Sequence, residues 1–286
     1  MARVSIIKGG SRRENARRSL ELIAEEVKGA VGGRQVIIKP NFVSTSGQLA
    51  STHIDHMRGM LDFFSGFYSG GIIIAEAACG DTWEAFNNFS YLSLPKEYRV
   101  ELVDLNQGPF EEVEIEDSRG RPLRVRTAKA LLDPGNYRIS AAKLKTHDEV
   151  VVTLSIKNMA MGSICLPDKV KVHQGIRQTN LNIARIAERV WPDLASIDGF
   201  QGMEGNGPSF GDPVHPGVAI AGTDPMAADR VACEVMGVDF SRVGYLNLCA
   251  MGEHEMEGIE VVGTPLEDCI RPFRLHRNVE QQYGWR

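Results

Sequence analysis

Short apolar runs alternate with helical stretches along this chain, and that alternation constrains the fold more than any other feature. Residues 4–8, 35–38, 72–76, 100–105, 137–142, 194–198, 218–221 and 258–262 read as strands. Helix signals fall between them. Ser11-Arg12-Arg13-Glu14 has the spacing of a capping box. Residues 179–190 place Ile183, Ile186, Ala187 and Val190 at i, i+3, i+4 and i+7, which leaves Asn182, Arg185 and Arg189 to face solvent. Thr223-Asp224-Pro225 opens a helix that runs to about Met236. The pattern predicts an α/β fold: a mixed, mostly parallel sheet with helices on both faces. Residues 110–125 interrupt it with two strands around a polar turn. The 286 residues therefore read as a single α/β domain or as two lobes that meet near residue 130.

Composition narrows the partners. A net charge of −5, with no basic stripe interleaved with aromatics, speaks against nucleic acid. The five cysteines form no C-x-x-C pair, so we expect neither a zinc knuckle nor an iron–sulfur cluster in this chain. No apolar run reaches the ~18 residues of a membrane span, and no secretion core follows the basic residues at the N-terminus. A cytoplasmic location away from membranes is the expectation.

Ligands in open α/β sheets bind beyond the carboxyl ends of the strands. Here the strand ends carry Lys39 and Asn41, then Glu76, then Lys143-Leu144-Lys145-Thr146-His147, then Asp198-Gly199, and finally Gly222-Thr223-Asp224. Ionisable groups from five ends would converge on one edge. In an extended chain Lys143, Lys145 and His147 share a face, and adjacent ammonium groups repel unless an anion lies between them. The alternative is an edge strand guarded by lysines. Lys157-Asn158 follows an apolar run, so Lys157 must be paired or reach out to solvent. Asn158 either holds a ligand carbonyl or caps the next segment.

Residues 168–173 form a basic loop with Lys169, Lys171 and His173. Residues 199–211 hold five glycines around Glu204, Asn206 and Pro208, a loop whose backbone N–H groups suit an anion. A divalent metal is an open reading, with His147, His173, His215, Asp198 and Glu204 as the candidate ligands, although no pair has metal-binding helical spacing. Cys79 and Cys165 have no identifiable base partner for nucleophilic work.

Taken in order, these pieces resemble the family known as domain of unknown function 362. The resemblance rests on Lys39-Pro40-Asn41, Lys143-x-Lys145-Thr146-His147, Ser155-Ile156-Lys157-Asn158 with Gly162, and His173. It continues through Asp198-Gly199, Gly205-Asn206-Gly207-Pro208, Gly222-Thr223-Asp224-Pro225, Asp229 and Met236-Gly237. Many relatives carry a ferredoxin-like segment with cysteine-ligated clusters, which implies redox work in the family. This chain lacks that cysteine cluster, so any electrons would come from a separate ferredoxin.

The expected function is an enzyme that binds a carboxylate- or phosphate-bearing small molecule. Lys39, Asn41, Lys143, Lys145, Lys157, Asn158, Asn206 and Asp224 are the candidate binding residues, and His147, His173 and Asp198 the candidate catalytic ones. A non-catalytic anion binder would use the same lysines and tolerate loss of both histidines. A reductase coupled to ferredoxin would need a docking face, for which Arg12, Arg13, Arg17 and Arg18 are candidates; a solvated helix face is the plainer account of them.

Overall fold

The computed structural model describes residues 1–250 and 258–286. Its strands are β1 (Ala2–Lys8), β2 (Gln35–Lys39), β3 (Ile72–Glu76), β4 (Val100–Asp104), β5 (Phe110–Glu116) and β6 (Pro122–Ala128). They continue as β7 (Asn136–Thr146), β8 (Val152–Thr153), β9 (Leu194–Glu204), β10 (Asp212–Val214), β11 (Val218–Gly222) and β12 (Ile259–Gly263). Ten of them form one sheet in the order β12-β1-β11-β9-β7-β2-β3-β4, with β8 and β10 attached to β7 and β9. Strands from both sides of residue 130 thus share this sheet. The break in alternation becomes a separate antiparallel ribbon, β5–β6.

The main helices are α1 (Arg12–Glu21), α2 (Ala24–Val31), α3 (Ile54–Ser65), α4 (Thr82–Asn88), α5 (Leu94–Glu97), α6 (Lys129–Leu132), α7 (Ser155–Gly162), α8 (Ile176–Arg189), α9 (Pro225–Met236) and α10 (Gly244–Ala250). The N-cap half of the capping box forms, with the Ser11 side chain accepting from the Glu14 N–H. Asp224 likewise caps α9 by accepting from Ala227 N–H at 3.0 Å. The fold is α/β, with helices on both faces of the sheet. Strand alternation divides the core between those faces. Val36 and Ile38 join the cluster under α3, whereas Ile37 joins the one under α7 to α10. Among the described residues no helix is long and apolar enough to cross a membrane.

Three expectations need correction. Asn182 does not face solvent: it is fully buried, where its side chain accepts from Glu116 N–H at 3.0 Å and donates to Glu116 O at 2.8 Å. The β5–β6 ribbon packs on that side of α8 and claims it. The glycine-rich loop is shorter than its sequence suggests, because residues 199–204 continue β9 and only 205–211 turn into β10.

The third correction concerns strand direction. β11 runs antiparallel to both β9 and β1, since the chain returns from β9 through the β10 hairpin with no crossover helix. Gly222 pairs with Ala195 at the start of β9 and Val218 with Gly199. Asp224 therefore lies at the opposite edge of the sheet from Lys39 and His147, and its work is to cap α9.

Candidate functional site

The parallel strands β2 and β7 lie side by side, and the chain spreads from them in opposite directions, through β3 and β4 on one side and β9 on the other. That is a topological switch point, where the loops beyond the carboxyl ends part and leave a crevice. A cleft of about 230 Å³ opens there. Lys39, Asn41, His147, Lys157, Asn158 and His173 all line it, as do Glu76, Cys79, Glu149, Thr153, Lys169, Gly162 and Pro208. The volume lies below the roughly 300 Å³ at which drug-sized pockets begin, so it suits a molecule of few heavy atoms.

A buried network holds one wall. Lys39 Nζ lies 3.0 Å from Glu76 Oε1 and donates to Asn158 Oδ1 at 3.0 Å and to Pro40 O at 2.7 Å. Asn41 Nδ2 also donates to Asn158 Oδ1, at 2.9 Å, and Asn158 Nδ2 donates to Ser140 Oγ at 3.0 Å. Both ends of the Asn158 amide are thus engaged within the protein, and Asn158 positions Lys39 and Asn41. Burial lowers the Lys39 pKa, against the pull of Glu76. Gly162 makes this arrangement sterically feasible, because a Cβ there would stand 2.0 Å from Lys39 Nζ. Asn41 Oδ1 and Thr153 Oγ1 are buried at the cleft and have no hydrogen-bond partner among the described residues. Unmet buried acceptors carry a free-energy cost, and a bound ligand would relieve it.

Lys157 comes from α7, whose first turn is anchored from outside the helix. Leu154 offers no side-chain cap, and Asp229 of α9 supplies one, accepting from Ser155 N–H at 2.8 Å, Ser155 Oγ at 2.5 Å and Ile156 N–H at 3.0 Å. The Lys157 side chain is only 6% exposed, yet among the described residues its ammonium group has no hydrogen bond and no ion pair. It is neither paired nor extended into solvent, the two outcomes expected from its sequence setting. Burial lowers its pKa to about 8, with Asp148 and Glu149 pulling the other way. Lys169 is also buried at the cleft; its Nζ donates to Ala77 O at 2.6 Å and meets no carboxylate within ion-pair distance among the described residues.

The two histidines differ. His147 is buried and its Nδ1 accepts from Glu149 N–H at 3.0 Å. Burial above all, then Lys157 and His173, hold its pKa well below the ordinary value. Asp148 Oδ1 stands 3.1 Å from the same nitrogen, which would favour a proton there. The backbone amide is a fixed donor, whereas Asp148 is half exposed, so the amide decides: the ring is neutral with its proton on Nε2. His173 is partly exposed and its Nδ1 lies 2.6 Å from Glu149 Oε2. That contact holds the Glu149 pKa down, and orients the ring as carboxylates orient catalytic imidazoles.

Lys143, Lys145 and Asp198 are set apart from this cleft. β7 is a central strand, so the guarded-edge account of its lysines does not hold. Alternation sends Lys143 and Lys145 to the face opposite Lys39. Lys143 Nζ pairs with Asp198 Oδ2 at 3.0 Å, and Arg12 Nε reaches Asp198 Oδ1 at 3.2 Å. Burial opposes ionisation of Asp198, but Lys143 foremost outweighs it and keeps the carboxyl below its ordinary value. Lys145 Nζ donates to Ala50 O at 2.7 Å, and burial, then Lys157 and Lys143, drive its pKa well down. Asn206 is exposed on the turn, where its carbonyl accepts from Phe210 N–H at 3.2 Å. No group of three or more His, Cys, Asp or Glu side chains suited to a metal occurs among the described residues. The candidate ligands instead scatter: Asp198 is paired with lysine and arginine, and Glu204 accepts from Arg274 N–H.

A family model described as domain of unknown function (DUF362) matches residues 36–234. The chain belongs to this family. Every DUF362 residue described as lining the cleft falls inside the matched span, whereas Arg12, α1 and α2 lie before it. Thylakoid-associated protein sll1697 of Synechocystis sp. is 25% identical over 215 residues, which make up 72% of this chain and 64% of that protein. The chain thus spans less than two thirds of that relative's length. No solved structure matches the chain.

Proposed function

We propose that this DUF362 protein is an enzyme acting on a small carboxylate- or phosphate-bearing metabolite in the cleft between β2 and β7. The observation that carries the reading is the state of Lys157 and Lys169: two nearly buried lysines face one cleft, and among the described residues neither has a carboxylate within ion-pair distance. An anion would supply the missing charge and make the site favourable to form. Asn41 Oδ1 and Thr153 Oγ1 would then accept from hydroxyl or amide groups of the same molecule. His173, oriented by Glu149, is the proton carrier, and neutral His147 offers its Nε2–H as a donor.

Thermal stability with inorganic phosphate, malonate and other small anions tests this, with Lys169→Met alongside. A ligand at ~100 times its Kd raises stability by about 2.7 kcal/mol. A shift in the native protein that disappears in the variant supports the site. Absence of a shift with every anion removes it. Retained shifts with no turnover in any assay leave a carrier rather than an enzyme.

A cytoplasmic location is part of this reading, supported by the lack of a spanning helix among the described residues. The thylakoid association of the Synechocystis relative makes a peripheral membrane contact the alternative outcome of fractionation. Coupling to a separate ferredoxin gains little from the arginines of α1. Arg13 pairs with Asp62, Arg17 with Glu21, Arg18 with Glu14, and Arg12 turns inward to Asp198.

A further inference from the structure

We infer that Lys157 is a covalent catalytic residue, an amine that forms an imine with a small carbonyl compound carrying a carboxylate or phosphate. The inference rests on the anion-site reading above and names the substrate class within it. Three features converge on it. Among the described residues Lys157 has no carboxylate in direct contact to hold its ammonium group charged, in contrast to Lys39 with Glu76 and Lys143 with Asp198. It stands on a helix whose first turn is fixed by Asp229, so the amine is delivered from a rigid element. It shares the cleft with a second lysine for the anion and with an imidazole–carboxylate pair for protons.

The free amine is available under ordinary conditions. A pKa of about 8 gives roughly two orders of magnitude more unprotonated amine at neutral pH than an ordinary lysine has. Desolvated lysines without a counter-charge are the ones proteins use for Schiff bases.

In the step itself the Lys157 nitrogen lone pair attacks the carbonyl carbon, forming a C–N bond while the π pair moves to oxygen. The oxygen takes up protons and leaves as water when the C–O bond breaks and the nitrogen lone pair forms the C=N bond. For the neutral imine, both amine protons depart with that water. His173 is placed to carry them, and Lys169 to hold the substrate's anionic group. No oxidant or reductant is needed.

The test uses the full chain with pyruvate and, separately, dihydroxyacetone phosphate, in the presence of sodium cyanoborohydride. The reagent reduces an imine to a stable secondary amine, which intact mass and peptide mapping then locate. We expect one adduct, at Lys157, formed roughly tenfold or more faster than at any surface lysine given the difference in free amine. Lys157→Met and Lys157→Arg should lose that adduct; mapping of the native protein stands even where a variant fails to fold. Modification spread over surface lysines, or absent with both compounds, overturns the inference. Malonate and phosphate, which have no reactive carbonyl, separate the two readings. Stabilisation by these anions without a trapped adduct overturns the imine alone, whereas neither stabilisation nor adduct overturns both.

Discussion

Lys143 Nζ and Asp198 Oδ2 meet at 3.0 Å on adjacent strands, β7 and β9, with both side chains closed to solvent. A pair this deep is expensive to break from one side only, because the surviving charge is left in a poorly solvating interior. Asp198→Ala should lower stability by about 3–5 kcal/mol. The double replacement Lys143→Met/Asp198→Leu should recover part of that loss. Urea unfolding at pH 7 measures both, and near-wild-type stability of Asp198→Ala would show that the pair has no such structural weight.

Lys157 gives a dependence on pH with a definite sign. Its folded pKa of about 8 lies below the ordinary 10.5, so between these values the unfolded chain binds the more protons. Its contribution to stability therefore rises as pH increases from about 8 to 10.5, and is lost as pH falls through that window. The difference amounts to roughly 3 kcal/mol at 1.36 kcal/mol per unit. Lys157→Met should thus be more stable than the native protein at pH 7, with the gap closing towards pH 10. Thermal unfolding across that range reads it, and a pH-independent gap would refute the assignment.

Gly162 and Lys39 are matched sterically. A Cβ on Gly162 would lie 1.7 Å from Lys39 Cε, and the lysine is pinned by Glu76 and Asn158, so it cannot swing aside without breaking those contacts. Gly162→Ala should cost about 1–3 kcal/mol, as overpacking does, and weaken any anion response. Denaturation combined with ligand-induced thermal shift checks both halves.

Asp229 lies outside the cleft but holds the turn that presents Lys157. Asp229→Ala leaves Ser155 N–H and Ile156 N–H without their acceptor, at about 1–3 kcal/mol for a buried unsatisfied donor. Anion affinity should fall with it, measured by isothermal titration calorimetry on the folded fraction.

The reach of the sequence can be seen residue by residue. Periodicity locates β2, β3, β7 and β9, and the strand-end rule brings Lys39, Asn41 and His147 to the edge where the cleft opens. Periodicity does not encode direction, which is why Asp224 falls at the wrong edge: β11 returns through a hairpin. Nor does a count along β7 reveal that its odd positions face away from Lys39 and towards Arg12. Asp198 lies 55 residues beyond Lys143 in the chain, and no local signal ties the two together.

Lys169 is visible in the sequence as part of the basic loop with His173, whereas no local pattern singles out Glu149. What joins Glu149 to the candidate site is a fold that brings residues 149 and 173 within 2.6 Å, and what joins Lys169 to it is burial at the cleft. Thr153 stands out only once its hydroxyl oxygen is seen to lack a partner among the described residues, a property of packing rather than of residue type.

The β5–β6 ribbon has a practical consequence. Its tip, residues 118–121, is exposed, and Asp117 closes the turn by accepting from Arg119 N–H and Arg121 N–H at 2.9 Å each. One wall of the cleft, with Lys39, Asn41, Glu76 and Cys79, is encoded before that tip, and the other, with His147, Lys157, Lys169 and His173, after it. A chain opened at the tip yields two fragments, each holding part of the cleft lining. If the proposed anion binds in the cleft, its recovered binding would report their reunion, and the protein could then serve as a scaffold for a split reporter.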